Sequence, residues 1–353
     1  VELSPAALAT SAARFRKDLV PIPIHGLGSA LNYFTLRTGI RSSETVGELA
    51  GEIEIGPYDP YRKDTGKLSV TGRKLDVFLG NVVKEFDPNS VFQSIFGNSI
   101  TKGEGLKNVP ITLQILSFLA AKIGRGLRLH LFDAVRNDKG TKTTDLFNGF
   151  DTITAAEITA GNIAAAKGNL YEFSEAITKE NAVDMITAFC RAASDELLEQ
   201  EDGDDANMVL NLYCPRNIVY DYRDDYKATT GSSPIYDKFN QTVVEGFGNI
   251  RLVPFAGKTG SDFLQLSTKQ NMLLGTDLMN DLETMTVEKF APFILSFIAT
   301  MVFGAQFESI SREKLLVGKL YKKTVVTPPT SEGGQGNSPG NLGQGGESVD
   351  NKE

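Results

Sequence analysis

The sequence predicts an α+β protein, and three features of the chain support that fold class. Apolar and polar residues alternate on both sides of a turn within residues 46–79, which is typical of paired strands. Apolar residues recur at helical spacing over residues 109–135. Short apolar runs between turn residues follow and indicate buried strands. With 353 residues, 41% of them hydrophobic, the chain is long enough for two hydrophobic cores.

The first 24 residues are predicted to form a weakly structured arm, helical over residues 5–18 and ending in the stiff sequence PIPI. This stretch lacks the apolar core of a signal peptide. The chain up to residue 41 is locally positive. Its basic residues are Arg14, Arg16, Lys17, Arg37 and Arg41, and its acidic residues are Glu2 and Asp18. Two interpretations remain open: a solvated helix face, or an arm that lies across an acidic neighbouring subunit.

A long two-stranded hairpin is predicted next. Residues 46–55 form its first arm, the sequence GPYDPYRKDTG forms its turn, and residues 67–79 form its second arm. An isolated hairpin is only marginally stable in water, so these strands need a surface to lie on. Within one domain that surface is a sheet edge, and in an assembly it is a neighbouring subunit. The alternation is compatible with both.

One long helix, at residues 109–135, and one shorter helix, at residues 182–198, are predicted after the hairpin. Further strands are predicted at 146–153, 208–213, 250–254 and 263–266, with a last sheet at 286–308. From residue 328 onward the chain consists largely of Gly, Ser, Asn and Pro without a hydrophobic anchor, which predicts a disordered tail.

The apolar sequence FAPFILSFIATMVFG at residues 290–304 needs separate attention because it resembles a membrane segment. It is shorter than the roughly twenty residues of a spanning helix. Its β-branched and aromatic residues, together with Pro292, favour a pair of buried strands or a strand followed by a turn. We therefore expect no contact with a membrane.

The composition carries few signs of catalysis or of tight nucleic-acid binding. A formal net charge of -8 argues against a protein whose main task is to bind nucleic acid. Cys190 and Cys214 have no metal-ligand spacing, although one buried disulfide between them is compatible with the sequence. The two histidines, His25 and His130, are far apart, and we interpret His130 as a structural residue. The GKTG sequence at 257–260 lacks the first glycine of a phosphate-binding loop. We predict no catalytic site and no cofactor.

A run of acidic residues follows the shorter predicted helix and contains no Lys or Arg. It consists of Asp195, Glu196, Glu199, Glu201, Asp202, Asp204 and Asp205. Asp202, Asp204 and Asp205 are the candidate ligands for a calcium ion, although the spacing differs from that of a calcium-binding loop of twelve residues. The alternative is a solvated helix end and loop, even though negative charge is unfavourable at a helix C-terminus.

Residues 248–278, with the sequence GNIRLVPFAGKTGSDFLQLSTKQNMLLGTDL, resemble the late region of tailed-phage major capsid proteins of the Hong Kong 97 type. The resemblance is to the forms found in phages of Bacteroidetes bacteria in particular. Residues 271–277 resemble the family's N-L-x-x-G-x-D-like turn, and residues 181–199 resemble the helix before the core strand of its axial domain. The hairpin then corresponds to the family's extended loop, and the long helix to its spine helix. The resemblance covers about residues 25–323 and rests most on the order of these parts.

The resemblance implies an α+β fold of the Hong Kong 97 type with six parts. These are an N-terminal arm at 1–40, an extended hairpin loop at 41–84, a peripheral domain with the spine helix at 85–177, an axial domain at 178–280, a return to the peripheral domain at 281–323 and a disordered tail at 324–353.

The implied function is a major capsid protein, without enzymatic activity, that self-assembles from hexamers and pentamers into an icosahedral or prolate head around double-stranded DNA. Assembly contacts are expected at Tyr58, Asp59, Arg62, Lys63 and Lys67 near the hairpin tip and at Arg14, Arg16 and Lys17 of the arm. Portal and scaffolding proteins are the other expected partners, and DNA is enclosed without sequence-specific binding. The protein would be made in the bacterial host cytoplasm and reside in the virion. Two alternatives stay open: an encapsulin-like cellular compartment, and a soluble enzyme or binding protein.

Overall fold

The computed structural model describes residues 27–51, 58, 68–87, 111–199, 209–236, 241–277, 285–291 and 294–322. The helices in these ranges are α1 (Ile111–Leu129), α2 (Phe150–Thr159), α3 (Ala182–Arg191), α4 (Asp195–Leu198) and α5 (Arg216–Thr230). The strands are β1 (Thr35–Arg37), β2 (Ser43–Gly51), β3 (Leu68–Asp76), β4 (Phe78–Phe86), β5 (Leu170–Glu172), β6 (Leu210–Cys214), β7 (Thr242–Val243), β8 (Ile250–Pro254), β9 (Phe263–Ser267), β10 (Met272–Thr276), β11 (Met285–Ala291), β12 (Ile294–Phe307) and β13 (Leu315–Lys319).

The first sheet is built around β12, a strand of 14 residues. Its order is β1-β10-β12-β11, and β4 pairs with the other edge of β12. β1 is parallel to β10, whereas β10, β11 and β4 are all antiparallel to β12. The sequence of β12, ILSFIATMVFGAQF, is rich in β-branched and aromatic residues, which favour a pleated and half-buried surface.

The two faces of this sheet bury different clusters because successive side chains of a strand point to opposite sides. Phe303 and Phe307 of β12 pack together with Leu127 of α1 in a large hydrophobic cluster, here called the main core. Leu273 of β10 and Val302 of β12 belong to a smaller cluster on the opposite face. The long helix and this smaller cluster therefore lie on opposite sides of the sheet.

An aromatic cluster forms the centre of the main core. Its rings are Phe34, Phe132, Phe150, Tyr213 and Phe255. The centroids of neighbouring rings are 5.4 to 6.1 Å apart, within the range of favourable aromatic pairs. The five rings come from five separate stretches of chain, so the cluster ties the segment before β1 to α2, β6 and the end of β8.

The second sheet has six strands in the order β5-β13-β9-β6-β8-β7. Parallel pairing joins β6 to β8 and β5 to β13, and the other pairs are antiparallel. Ile186 and Phe189 of α3 and Tyr222 of α5 share a buried cluster with Leu212 and Leu266 of the sheet. The protein therefore has a second core, which α3 and α5 form with this sheet.

Several predicted elements are confirmed. α1 lies within the helix predicted at 109–135, β2 and β3 form the predicted hairpin, and β6, β8 and β9 match predicted strands. The apolar sequence at 290–304 contributes to the antiparallel pair of β11 and β12. None of the helices described above is long and apolar enough to cross a membrane.

The strand predicted at 146–153 is wrong, because α2 begins at Phe150. The backbone of this stretch bonds to the chain that directly follows α1: the N–H of Gly149 donates to the carbonyl of Ala134 (2.8 Å), and the N–H of Phe150 donates to that of Leu131 (3.1 Å). A Cβ on Gly149 would lie 2.3 Å from a backbone oxygen, so only glycine allows this approach. The apolar run reflects burial against a helix end, and a short run does not distinguish that from a strand.

The single helix predicted at 182–198 is also wrong, since it is divided into α3 and α4. Ser194 accepts a hydrogen bond from the N–H of Leu197 and so caps α4, while its hydroxyl donates to the carbonyl of Arg312 (2.9 Å). Asp195 and Glu196 consequently lie in the first turn of α4. Their charges are favourable at a helix N-terminus, which corrects the expected placement at a C-terminus.

The turn expected at 271–277 is instead mostly strand. Its centre is β10, in which all five residues are buried. The glycine of the motif, Gly275, therefore lies within a sheet and not at a bend.

Candidate functional site at the root of the hairpin

The hairpin β2–β3 is connected to the first sheet at both of its ends. A single residue, Val77, separates β3 from β4, and its N–H donates to the carbonyl of Ser42 (2.9 Å). On the other side, the N–H of Ile40 donates to the carbonyl of Thr276 in β10 (3.2 Å). Within the described residues, β2 and β3 pair only with each other. The hairpin is thus a separate two-stranded ribbon. Its orientation is set at the end where Ile40, Ser42 and Val77 bond, here called the root.

Two glycines allow the root to lie directly on the sheet. Gly275 of β10 and Gly304 of β12 face each other in the strand register. A Cβ on Gly304 would lie 2.1 Å from the carbonyl oxygen of Asp76, and a Cβ on Gly275 would lie 2.6 Å from Cγ1 of Val77. A side chain at either position would force its neighbours to move, and at Gly304 those neighbours are backbone atoms, so the chain between β3 and β4 crosses β12 at backbone contact distance.

An apolar cluster fills the root. It consists of Ile40, Val46, Leu75, Val77 and Leu273, each at most 6% exposed. Side chains from the first sheet, from both hairpin strands and from the flanking segments meet in it. Burial of this cluster stabilises the root in water without help from the distal part of the hairpin.

A charged clamp joins β3 to the body of the protein. Nη2 of Arg73 donates to Oε1 of Glu157 in α2 (2.6 Å) and to Oε1 of Gln306 in β12 (3.1 Å). Nε2 of Gln306 in turn donates to the carbonyl of Lys74 (3.0 Å), and Nδ2 of Asn162 donates to Oε2 of Glu157 (2.7 Å). The side chains of Arg73 and Glu157 are only 11% and 18% exposed, so solvent screens their pair weakly.

The protonation of Glu157 follows from these contacts. Burial alone would raise the pKa of its carboxyl group. The hydrogen bonds from Asn162 and Arg73 and the charge of Arg73 outweigh burial, so the pKa lies below its ordinary value. Glu157 is therefore ionised at neutral pH, and the clamp is an ion pair.

Of the residues predicted to make assembly contacts, the structure describes one. Tyr58 belongs to the segment of chain that joins β2 to β3, and it is 94% exposed. Asp59, Arg62, Lys63, Lys67, Arg14, Arg16 and Lys17 lie outside the described residues. Arg37 and Arg41, the other basic residues of the N-terminal region, form surface ion pairs with Glu308 (3.7 Å) and Asp277 (3.9 Å).

The candidate calcium ligands Asp202, Asp204 and Asp205 also lie outside the described residues, as does the whole tail predicted at 324–353. Among the residues with described positions, no group of three or more His, Cys, Asp or Glu side chains could hold a metal ion. Cys190 and Cys214 are both free and buried. Burial raises the pKa of each thiol to about 12, so both stay protonated at neutral pH.

Lys258, in the GKTG sequence, has a structural position that the sequence did not indicate. It is fully buried, and its Nζ donates to Oδ1 of Asp151 (2.8 Å) and to the carbonyl of Phe263 (2.8 Å). Nζ also lies 4.5 Å from the ring centroid of Phe132. Burial lowers the pKa of Lys258 below its ordinary value, and the charge and hydrogen bond of Asp151 offset only part of this effect. The side chain holds the β8–β9 connection against α2.

No protein-family profile and no curated protein matches the sequence. Solved structures do match. The procapsid of satellite phage P4, solved with its size determination protein, aligns with a TM-score of 0.52 at 10% identity, over 84% of this chain and 96% of that chain. The capsid of a native GTA particle aligns with a TM-score of 0.50 at 10% identity, over 84% and 91%. The capsid of the empty GTA particle aligns with a TM-score of 0.50 at 12% identity, over 82% and 94%.

The fold is that of the Hong Kong 97-type phage capsid proteins. At this level of identity the likeness is one of fold, and it confirms the fold class expected from the sequence. In the Hong Kong 97-type fold of this chain, β2–β3 is the extended hairpin and α1 is the long helix on the opposite side of the first sheet. The domain boundaries expected from the sequence stay predictions.

Proposed function

We propose that this protein is a major capsid protein that assembles, as hexamers and pentamers, into an icosahedral or prolate phage head enclosing double-stranded DNA. The observation that carries the proposal is the hairpin. Its strands pair with no other described strand, yet its root is buried and clamped by Arg73 and Glu157. A hairpin that is rigid at its root and unpaired beyond it is suited to reach a neighbouring subunit. The fold likeness to shell-forming proteins supports the same function.

The contacts between subunits would form at the hairpin tip. Tyr58 exposes 94% of its surface, and a large exposed aromatic side chain is typical of residues that become anchors in an interface. Asp59, Arg62, Lys63 and Lys67 would surround it with charge, which favours a defined orientation between subunits. The arm residues Arg14, Arg16 and Lys17 would add a second contact, to an acidic surface of an adjacent copy.

The other partners follow from this function. Portal and scaffolding proteins would direct assembly in the bacterial host cytoplasm, and the finished protein would reside in the virion. DNA would be enclosed without sequence-specific contacts, which agrees with the acidic net charge of -8. The protein would have no enzymatic activity.

Electron microscopy of purified assemblies, combined with a nuclease-protection assay, tests this function. We expect closed shells of uniform diameter. Shells purified from infected cells should protect double-stranded DNA from the nuclease. Shells that contain protein cargo and no DNA would instead identify an encapsulin-like compartment. A chain that stays monomeric in sedimentation and binds a small molecule would contradict both and indicate a soluble enzyme or binding protein.

Deletion of residues 56–66 tests the role of the tip. The shortened chain is expected to fold, because the root cluster and the clamp lie outside the deletion. It should fail to form stable shells. Circular dichroism and light scattering measure the two outcomes, and normal shells from the shortened chain would refute the assignment of the tip.

A further inference from the structure

The exposed face of α1 carries an unbalanced positive charge. The sequence of this helix, ITLQILSFLAAKIGRGLRL, contains three basic residues and no acidic residue, although the chain as a whole has a net charge of -8. The basic residues are Lys122, Arg125 and Arg128. They are spaced by three positions, so successive charges are about 4.5 Å apart along the helix axis.

These three side chains lie at the surface of the described structure to different degrees. Lys122 and Arg125 are exposed, and Arg128 is half-buried. Among the residues with described positions, none of the three forms an ion pair. Lys122 does contact a ring: its Nζ lies 5.2 Å from the centroid of Phe118, which is itself 53% exposed. Lys122, Arg125 and Arg128, here called the stripe, therefore carry positive charge that no described carboxylate neutralises.

The position of the stripe relative to the hairpin follows from the packing of the first sheet. Leu127 packs against the face of the sheet that carries Phe303, whereas the hairpin root packs against the face that carries Val302. Lys122 and Arg125 lie on the side of α1 that points away from the buried Leu127. The stripe and the hairpin root are thus on opposite sides of the sheet.

We propose that Lys122, Arg125 and Arg128 form a contact surface for the phosphate backbone of double-stranded DNA. This inference rests on the proposed function. In a shell whose hairpins lie over neighbouring subunits on one surface, the stripe faces the other surface, where the enclosed DNA lies. Lys and Arg on a regular helix face contact phosphates without reading bases, so the binding is independent of sequence. Three contacts per subunit are few, which is compatible with an acidic protein that retains DNA weakly but at many copies.

The test measures binding of the full-length, unassembled subunit to two fluorescent DNA duplexes of unrelated sequence over a series of salt concentrations. Three phosphate contacts predict equal affinity for both duplexes and a slope of log K against log salt of about -2.7. The variant Lys122→Gln/Arg125→Gln removes two contacts. The slope is expected to become shallower, at about -0.9. Each lost contact should lower the affinity roughly tenfold at 50 mM salt.

The matched control is Arg37→Gln/Arg41→Gln, which removes the same charge from two surface ion pairs elsewhere on the protein. It should keep the wild-type slope. Equal losses in both variants, or no loss in the α1 variant, would overturn the inference. Gln is a good helix former, and thermal unfolding checks that both variants fold.

Electron microscopy of the same variants separates this inference from the proposed function. Shells that form normally from the α1 variant but hold less DNA support it. Loss of shell assembly with unchanged duplex binding would show that the stripe contacts protein, and would overturn it. If the wild-type chain forms no shells, the proposed function fails, whereas the duplex titration still decides whether the stripe binds DNA.

Discussion

At the scale of single residues, Gly304 determines how closely the hairpin root approaches the sheet. A methyl group at this position would overlap the carbonyl oxygen of Asp76, at 2.1 Å, and a backbone atom cannot rotate away as a side chain can. We expect Gly304→Ala to lower the free energy of unfolding of the unassembled subunit by about 1–3 kcal/mol, because relief requires displacement of the root. Urea denaturation measures the change.

Gly248→Ala is the control for this substitution. No atom lies within 4 Å of a Cβ on Gly248, and its backbone is outside the left-handed region. This variant should stay within about 0.5 kcal/mol of the wild type. Equal stabilities for the two alanine variants would contradict the close approach at Gly304.

The two thiols make stability depend on pH in the alkaline range. Burial raises the pKa of Cys190 and Cys214 from an ordinary value of 9.0 to about 12. Above pH 9 the unfolded chain therefore releases protons that the folded chain keeps, so the contribution of each thiol is complete below pH 9 and is lost as the pH rises towards 12. The expected loss is up to about 1.4 kcal/mol per pH unit and thiol.

Urea unfolding between pH 8 and pH 11 measures this dependence, with Cys190→Ala/Cys214→Ala as the comparison. The double variant should show a shallower decline, and the decline that remains includes Tyr222, whose pKa burial also raises to about 12. In the native wild type, both thiols should be unreactive towards a thiol reagent at pH 8. Parallel curves for the two proteins would argue against the raised pKa values.

At the scale of elements, the Arg73 clamp fixes β3 to α2 and β12. Arg73→Met keeps most of the apolar stem and removes the charge, leaving Glu157 only 18% exposed and without its cation. The free energy of unfolding should fall by about 1–3 kcal/mol, the usual cost of losing hydrogen bonds to a charged group. The yield of closed shells should fall more steeply, since the clamp orients the hairpin.

Arg312→Met is the matched control for the clamp. It breaks a pair with Glu196 in which the side chains are 56% and 51% exposed, and such pairs contribute little. Sedimentation and urea denaturation of both variants compare assembly with stability. Full assembly by Arg73→Met would show that the hairpin does not depend on the clamp for its orientation.

The elements also show what the sequence could reveal. The hairpin and α1 were predictable because their apolar periodicity extends over many residues. α2 was not predictable, because the positions of its apolar residues are determined by packing against the end of α1. The hydrogen bond from Gly149 to Ala134 illustrates this packing. α5 carries Ile218, Tyr222 and Tyr226 at helical spacing, but many charged residues between them obscure the pattern.

The candidate site was less predictable than the fold. The pairing of Arg73 with Glu157 joins residues 84 positions apart, and no local pattern indicates such a contact. Gly275 and Gly304 did carry a signal, since an isolated glycine within an apolar strand pattern often marks a close backbone approach. Gly275 was predicted to lie in a turn, whereas it lies in β10.

At the scale of the whole molecule, β12 connects the parts of the first sheet. Alternate side chains of this one strand face the hairpin root and the main core, so a movement of the root is transmitted to the core through a rigid, close-packed layer. Among the strands that the structure describes, none belongs to both sheets. The connection of the second sheet to α2 includes the aromatic cluster, the Lys258–Asp151 pair and the side-chain amide of Gln265, which donates to Asp151 (2.7 Å) and Thr154 (3.3 Å).

Lys258 is therefore expected to hold the two sheets in a fixed relation. Lys258→Met would leave the carboxylate of Asp151, 13% exposed, without its cation and should lower the free energy of unfolding by about 3–5 kcal/mol. The double variant Lys258→Met/Asp151→Asn removes both charges but keeps the oxygen that accepts from Gln265 (2.7 Å). It should recover more than half of that loss, because a neutral pair has no uncompensated buried charge.

Urea denaturation measures the free energy of unfolding of both variants. Lys139→Met, at an exposed position, is the control and should leave stability unchanged. A double variant no more stable than Lys258→Met would mean that packing of the lysine stem, and not its charge, joins the β8–β9 connection to α2.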